Sequence, residues 1–542
     1  MSSASDSAPS ASRPGDPEHP HSAHWGAFYA AFDGQAVRVR PHPDDPDPSP
    51  LIDNFTNALR HPVRVTTPMV RRGWLERGPG ADQARGADEF VAVSWDEALD
   101  LVARELARVR DAHGPQAVFG GSYGWSSAGR FHHAQSQVHR FLNTALGGYV
   151  RSVNNYSAGA SAVILPHVLG PLDDVARRNV TWQQIVEHTD VVLAFGGMAL
   201  RNTQVASGGV SAAFRRLDTL IVHETVWTAT ARHADIVLPC TMTLEREDIG
   251  GTPTDPLLVA MHRIAPPVGL ARDDYDIFAD LAGRLQRRAA FTEGRDSRGW
   301  LRHIYETTRA ALAARGDEAP DFDTFWARGE LRLPQADDDG GLLRAFRQDP
   351  QGRPLPTPSG RIQVSSPTVA SFGYADCPGH PAWLAPADAP DAQWPLYLVA
   401  NQPATRLHSQ LDFGAHSAAA KRHGREVCQV HPADAAARGI ADGDVVRLFN
   451  ARGACLAAAR VTDAVMRGVV QLPTGAWYDP QDVHAERPMC MHGNPNVLTR
   501  DVGTSSLAQG CTGQLTAVQM ERYDSPLPPV RAYEPPVPAA RG

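Results

Sequence analysis

The sequence predicts an α/β core followed by a β-barrel, on three observations. Over roughly the first 285 residues, short apolar runs ending in glycine or proline alternate with stretches of helical periodicity. Residues 330–395 are rich in proline, aspartate and glycine, the composition of linkers and surface loops. From Pro395 the chain breaks into short β-rich runs with tight turns between them.

In chain order, residues 1–22 are mostly small residues and proline with few large apolar side chains, and are expected to be disordered. Small strands and turns are expected from His24 to about Leu75. Ser94-Trp95-Asp96-Glu97 has the form of a capping box. Behind it Ala98, Leu99, Leu101, Val102, Leu106 and Val109 recur at helical spacing, so a helix follows. Gln116 to Gly121 is expected as a buried strand ending in a glycine turn, and Arg130 to Leu146 as a second helix. Asp190 to Gly197 repeats the strand-then-glycine pattern, and Thr219–Glu224 and Ala234–Pro239 add two short apolar strands. Such alternation implies a parallel sheet with ligands at the carboxyl ends of its strands.

The core is therefore placed at 23–285, irregular linker and surface segments at 286–394, the barrel at 395–525 and a proline-rich extended tail at 526–542. The barrel strands are expected at Leu396–Val399, Glu426–Val430, Val445–Phe449, Ala454–Val461 and Gly468–Leu472, with turns at Asp442-Gly443-Asp444 and Ala451-Arg452-Gly453.

The chain has 542 residues, 42% hydrophobic and 21% charged, which is globular usage with room for several domains. A net charge of −8 excludes the basic stripe of a nucleic-acid binder. The six cysteines include no CxxC pair and none precedes Cys240, which excludes an N-terminal iron–sulfur cluster and argues against a disulfide scaffold. No apolar run is long enough to span a bilayer, and the N-terminus shows neither an apolar signal core nor a twin arginine. A soluble cytoplasmic protein is expected.

Two stretches stand out: Gly121-Ser122-Tyr123-Gly124-Trp125-Ser126-Ser127-Ala128-Gly129-Arg130 and Asn154-Asn155-Tyr156-Ser157-Ala158-Gly159-Ala160. On residues alone they are glycine-bordered turns, one exposing a Tyr and a Trp, the other a hydroxyl among small residues; clusters of this composition are usually plain turns. Both resemble the active-site segments of molybdenum enzymes of the dimethyl sulfoxide reductase family, nearest the biotin and methionine sulfoxide reductase branch. The resemblance implies an oxidoreductase that reduces a sulfoxide or N-oxide at a bis(molybdopterin guanine dinucleotide) molybdenum cofactor, the substrate oxygen passing to the metal. It implies that Ser157 is the protein ligand of molybdenum, a hard oxygen donor suited to a high-valent metal. It makes Tyr123 and Trp125 the hydrogen-bond donors to the oxygen, since phenol and indole can donate while forming an apolar wall. The tyrosine favours the sulfoxide-reducing branches.

The resemblance extends to further segments. Phe195 to Thr203 resembles the segment whose basic residue lies between the two pterins, which points to Arg201 with Asn202; a surface arginine at a strand end is an equal reading of Arg201. The stretch His223 to Ala231, with Ala234–Pro239 and Leu244–Asp248, is similar to the second nucleotide half. There His223, Glu224, Arg246 and Asp274 become candidates for guanine or ribose contacts, although each alone is more often a solvated charge. Asn401 to Gln410 and His492 to Ser505 resemble the C-terminal cofactor-binding segments, giving Arg406, His408, Ser409, Asn496 and Gln514 as pterin and phosphate contacts. Without the resemblance His408 is a lone histidine, more often structural than functional, and no second His or Cys sits at ligand spacing beside it.

The sequence also departs from the family. A domain-sized Rossmann-like stretch is expected between the segment ending at Thr203 and the one beginning at Leu217, yet only Gln204 to Arg216 lies there. The expected fold is thus dimethyl sulfoxide reductase-like, lacking most of one Rossmann-like domain, with its junction near 204–216. No flavin or nicotinamide motif is present, so the electron donor is expected to be external. The rival expectation is a truncated, non-catalytic homologue or partner subunit with impaired cofactor binding.

Overall fold

The computed structural model describes residues 18–540 apart from 25, 46–47, 122–128, 152–157, 173–174, 176–216, 252–255, 335–341, 488, 501, 509 and 511–515. The expected strand at 190–197, the junction at 204–216 and the first seventeen residues lie outside these. Residues 19–22, expected as part of a disordered tail, are instead ordered: β1 (His19–Ala23) pairs antiparallel with β2 (Gly26–Phe32), which pairs with β3 (Val37–Pro41). Phe28 and Ala30 are buried there against Phe55 and Leu59.

The central sheet carries β4 (Met69–Arg71), β5 (Phe90–Ala92), β6 (Ile221–Glu224) and β7 (Ile236–Pro239). The β6–β7 pair is parallel, as expected, but β4 runs antiparallel to both β5 and β7, so the described sheet is mixed. The 72–89 connection makes no crossover; it returns the chain beside β4. Against this sheet packs the helix Trp95–His113, capped by Ser94, whose side chain accepts from the Glu97 N–H. Val102, Leu99 and Trp95 enter one core with Phe141 and Leu142 of the helix Ala134–Leu146 and with Ile277, Phe278 and Leu281 of the helix Asp274–Arg284.

Gln116–Gly121 differs from the expected strand. Gly114 ends the preceding helix at φ +81°, and Pro115 opens a 3-10 turn over Pro115–Ala117. Pairing is reduced to a single parallel bridge, Phe119 to Val150, and Phe119 is 65% exposed. The 286–394 segment differs too. Although 349–394 is largely irregular, Ser297–Ala313 and Phe322–Arg328 are helices whose Leu301, Tyr305, Phe322, Phe325 and Trp326 join the main core. The apolar side chains there recur at helical spacing, which the charged residues between them mask. A small antiparallel sheet of β8 (Asp248–Gly250), β9 (Leu257–Met261) and β10 (Glu330–Arg332) lies beside this unit.

The barrel is built from β11 (Leu396–Val399), β12 (Val427–Val430), β13 (Val445–Phe449), β14 (Ala454–Val461), β15 (Val469–Gln471) and β17 (Thr516–Arg522), with β16 (Met489–Cys490) flanking β14. The order β12-β15-β11-β17-β13-β14 closes through β12–β14 pairing, which removes the sheet edges. Alternating side chains such as Leu396, Leu398, Val446, Leu448, Cys455, Ala457 and Ala459 fill it.

The proline-rich tail is not a free extension. β18 (Pro538–Ala539) adds parallel to β5, and Ala532 and Tyr533 pack with Phe413, Trp477, Val226 and Trp227 in a seam between the α/β body and the barrel. Cys240, Cys377, Cys428, Cys455 and Cys490 are free thiols. Among the described residues no helix is long and apolar enough to cross a membrane.

Candidate functional site

The parallel strands β6 and β7 end side by side, Glu224 opposite Pro239, and the N-terminus of the helix Asp274–Arg284 faces their carboxyl ends. Three of the four residues expected in the second nucleotide half meet here. His223 Nδ1 lies 3.1 Å from Asp274 Oδ1, and Arg246 Nη1 is 3.7 Å from Asp274 Oδ2 while donating to the Thr241 carbonyl at 3.0 Å. Cys240, which sequence reasoning passed over, donates to Asp274 Oδ1 at 3.1 Å. Burial alone would raise the Asp274 carboxyl; the His223 hydrogen bond and charge, then Arg246, overcome it and hold the group well below the usual carboxylate range. Glu224, the fourth, turns its carboxylate to the Thr225 N–H at 2.8 Å and to the Thr225 and Thr228 hydroxyls, and burial raises its pKa.

Behind Arg246 sits His132, buried, with neither ring nitrogen hydrogen-bonded among the described residues. Burial and then the Arg246 charge push its pKa well below that of an ordinary histidine.

Tyr123, Trp125, Ser157, Arg201, Asn202 and Gln514 lie outside the described residues. The flanks of the first two segments are nonetheless tied together. Gly120 N donates to the Val150 carbonyl and Val150 N to the Val118 carbonyl, both at 2.8 Å, so the approaches to 122–128 and 152–157 run side by side. On the far side of the first segment the Asp248 carboxylate accepts from Phe131 N, His132 N and Ile249 N at 2.7–3.0 Å. Gly129 fits against it closely: a Cβ there would meet Asp248 Oδ2 at 2.2 Å.

At the barrel rim, Asn401–Gln410 lies against Pro473–Trp477. Thr474 N donates to the Asn401 carbonyl at 2.9 Å, and Trp477 Nε1 to the Ser409 carbonyl at 2.8 Å. His408 takes a left-handed backbone, φ +52°, and burial lowers its ring to about 4. Gly475, at φ +88°, approaches so closely that a Cβ would stand 1.9 Å from the His408 carbonyl oxygen. Ser409 is exposed and Asn496 half-buried, its backbone capped by Asn494 Oδ1.

Arg406 is a correction to its expected role as a cofactor contact. Its guanidinium is enclosed, donating to Glu426 Oε2 at 2.8 Å, to the Thr474 carbonyl at 2.9 Å and to Ser417 Oγ, with Asp412 Oδ1 3.1 Å from Nε. Lys421 Nζ joins the same two carboxylates at 2.9 and 3.1 Å, and Tyr533 OH donates to Asp412 Oδ2 at 2.9 Å and meets His492 Nε2 at 3.1 Å. Buried charges need such partners, so Arg406 holds the rim segment from beneath. Sequence reasoning missed Asp412, Lys421, Glu426 and Tyr533; the signal was Lys421, the only lysine in an arginine-rich chain.

Hydrogen-bonding capacity is left over at both edges. Gln402 Oε1, Thr474 Oγ1, Arg246 Nε and both His132 nitrogens are buried without a partner among the described residues. Unmet buried polar atoms of this kind suit a ligand rich in donors and acceptors, as a pterin dinucleotide is.

Three family profiles match the chain in sequence order: the molybdopterin oxidoreductase N-terminal domain over 21–60, molybdopterin oxidoreductase over 64–208 and 197–284, and the molydopterin dinucleotide binding domain over 396–517. The chain belongs to the molybdopterin oxidoreductases of the dimethyl sulfoxide reductase family. This oxidoreductase is 31% identical to a dimethyl sulfoxide/trimethylamine N-oxide reductase of Rhodobacter capsulatus, covering 93% of this chain and 92% of that one. It is 32% identical to a biotin sulfoxide reductase of Cereibacter sphaeroides (90% and 97%) and 28% identical to a trimethylamine-N-oxide reductase of Haemophilus influenzae (95% and 93%). Acetylene hydratase from Pelobacter acetylenicus shares the fold, with a TM-score of 0.58 at 14% identity over 93% of this chain and 100% of that one.

The same matches carry gaps. The Rhodobacter alignment runs over 757 positions, more than the 542 residues of this molybdopterin oxidoreductase, so it opens gaps in this chain. The core profile matches in two pieces that meet within 197–208, beside the expected junction. Past the junction the chain is clamped back onto the body. Arg85, ion-paired to Asp235 at 2.8 Å, donates to the Leu217 and Asp218 carbonyls, and Leu220 N donates to Asp235 Oδ2.

Proposed function

We propose that this molybdopterin oxidoreductase reduces a sulfoxide, of the biotin or methionine sulfoxide kind, or a related N-oxide, using bis(molybdopterin guanine dinucleotide) and an external electron donor. When bound, that group supplies two-electron oxygen-atom transfer. On this reading Ser157 holds the metal and Tyr123 and Trp125 orient the substrate oxygen by donating hydrogen bonds. Arg201, Asn202, His408, Ser409, Asn496 and Gln514 bind the pterins and phosphates. His223, Glu224, Arg246 and Asp274 take the nucleotide half, with Arg406 supporting from within. Asp248 fixes the exit of the Tyr123–Trp125 segment by taking the Phe131 and His132 amides.

The observation that supports this best is the pairing of the segment flanks at Val118–Gly120 and Val150, which brings the approaches to Tyr123, Trp125 and Ser157 together. The test is reduction of biotin and methionine sulfoxide by the purified chain with a chemical electron donor, beside Ser157→Ala. Turnover that Ser157→Ala abolishes, with molybdenum lost, is expected; turnover unaffected by Ser157→Ala contradicts the assignment. The gap at the junction favours one alternative, a homologue that holds the cofactor poorly, and that alternative predicts neither metal nor turnover.

A further inference from the structure

His223 Nδ1, Cys240 Sγ and a carboxylate oxygen of Asp274 lie within 4.8 Å of one another, and both the nitrogen and the sulfur stand 3.1 Å from the same atom, Asp274 Oδ1. They come from three elements: β6, the residue after β7, and the first turn of the helix Asp274–Arg284. A tetrahedral ion bound at about 2.0–2.1 Å to nitrogen and oxygen and about 2.3 Å to sulfur sets its ligand atoms roughly 3.3–3.5 Å apart. The two separations to Asp274 need to widen by only a few tenths of an ångström, and the third, His223 to Cys240, lies within 4.8 Å and closes onto the ion by side-chain rotation. The other carboxylate oxygen, Oδ2, faces Arg246, the place of an outer partner to a carboxylate that ligates through one oxygen. The His223 ring is held by a stack on Phe278, centroids 4.7 Å apart.

A buried histidine lies within the field of the same charged pair. His132 is 2% exposed, neither of its ring nitrogens has a hydrogen-bond partner among the described residues, and the charges acting on it are those of Arg246 and Asp274. We propose that His223, Cys240 and Asp274 form a site for one divalent transition-metal ion of the zinc class, its fourth position open to water. Thiolate, imidazole and carboxylate together match a borderline-soft ion and disfavour magnesium or calcium, which take oxygen donors. Binding replaces the Cys240 thiol proton by the metal: the S–H bond breaks, a sulfur–metal bond forms, one proton leaves to solvent, and no electrons move. The site is complete in the polypeptide without a pterin. Because it shares His223 and Asp274 with the proposed nucleotide contacts, the two occupants compete.

The full-length chain, purified from a host that makes no pterin cofactor and stripped with a chelator, is titrated with Co²⁺ and then Zn²⁺. The expected result is one equivalent bound, a thiolate-to-cobalt charge-transfer absorption, about one proton released per ion and displacement of the absorption by zinc. Cys240→Ser is expected to abolish the absorption and, like the shape-preserving Asp274→Asn, to weaken zinc at least about tenfold; Cys377→Ala keeps the absorption. Absence of the absorption, its survival in Cys240→Ser, or zinc affinity unchanged in both variants overturns the proposal. The readout does not involve turnover, so its failure leaves the sulfoxide reductase reading standing, and the converse holds.

Discussion

Arg406, Asp412, Lys421 and Glu426 show why a residue in a recognisable binding motif need not touch the ligand. The four charges satisfy one another inside the protein, and removing one strands the rest. Asp412→Asn is therefore expected to cost about 3–5 kcal/mol, read as a lowered urea midpoint at unchanged slope. His492 supplies a pH dependence. Burial, then the Lys421 charge, lower its pKa to about 4. The folded chain thus binds the proton less readily than the unfolded chain, whose histidine titrates near 6.5. Its contribution is fully present above pH 6.5 and is lost as the pH falls toward 4, amounting to roughly 3 kcal/mol. Thermal melts between pH 7 and 4 should show that slope added to those of the other buried histidines, and His492→Gln should make it shallower; an equal slope in the variant rejects the assignment. These roles were hidden from the sequence because nothing in the Asn401–Gln410 motif says which way a guanidinium turns; Lys421, solitary in the chain, was the legible clue.

Elements were more legible than side chains. The five barrel strands expected from 396 to 472 all form, because alternation against a closed core specifies register as well as existence. The two strands missed, β16 and β17, are a two-residue pair and a run interrupted by Gln519. The strand expected at 116–121 failed because Gly114 and Pro115 spend its start on a turn. Turn chemistry at the rim gives a direct test. Gly475 and Gly443 have similar φ, +88° and +91°, but only Gly475 abuts another backbone. Gly443→Ala should cost about 1 kcal/mol of strain, whereas Gly475→Ala should cost at least about 2 kcal/mol and displace the His408 segment. Equal melting temperatures for the two variants would remove the close approach from the account.

At the scale of the molecule, the C-terminal strap joins body to barrel. Arg232 donates to the Ala532 and Glu534 carbonyls, Arg72 to that of Ala540, and Arg531 N to Asp479 Oδ2 at 2.7 Å, while Tyr533 reaches Asp412. Ending the chain after Ser525 should lower the melting temperature and open the seam to proteolysis, and Tyr533→Phe alone should cost about 1–3 kcal/mol. A truncated chain with unchanged melting and cleavage rate would make the strap ornamental. Six prolines suggested a loose extension; Tyr533 and Ala532 among them carried the opposite message, since a buried aromatic needs a seam to fill.

The family, the α/β body and the barrel were readable from the sequence, whereas the mixed sheet and the His223–Cys240–Asp274 convergence required coordinates, being contacts between residues far apart in sequence. On the proposed function this chain, although its alignment to its relatives opens gaps, still holds its cofactor. Metal analysis with pterin and GMP release on protein purified from a cofactor-producing host tests it most directly. About one molybdenum and two GMP per chain are predicted; a folded chain that emerges from such a host without either would contradict it.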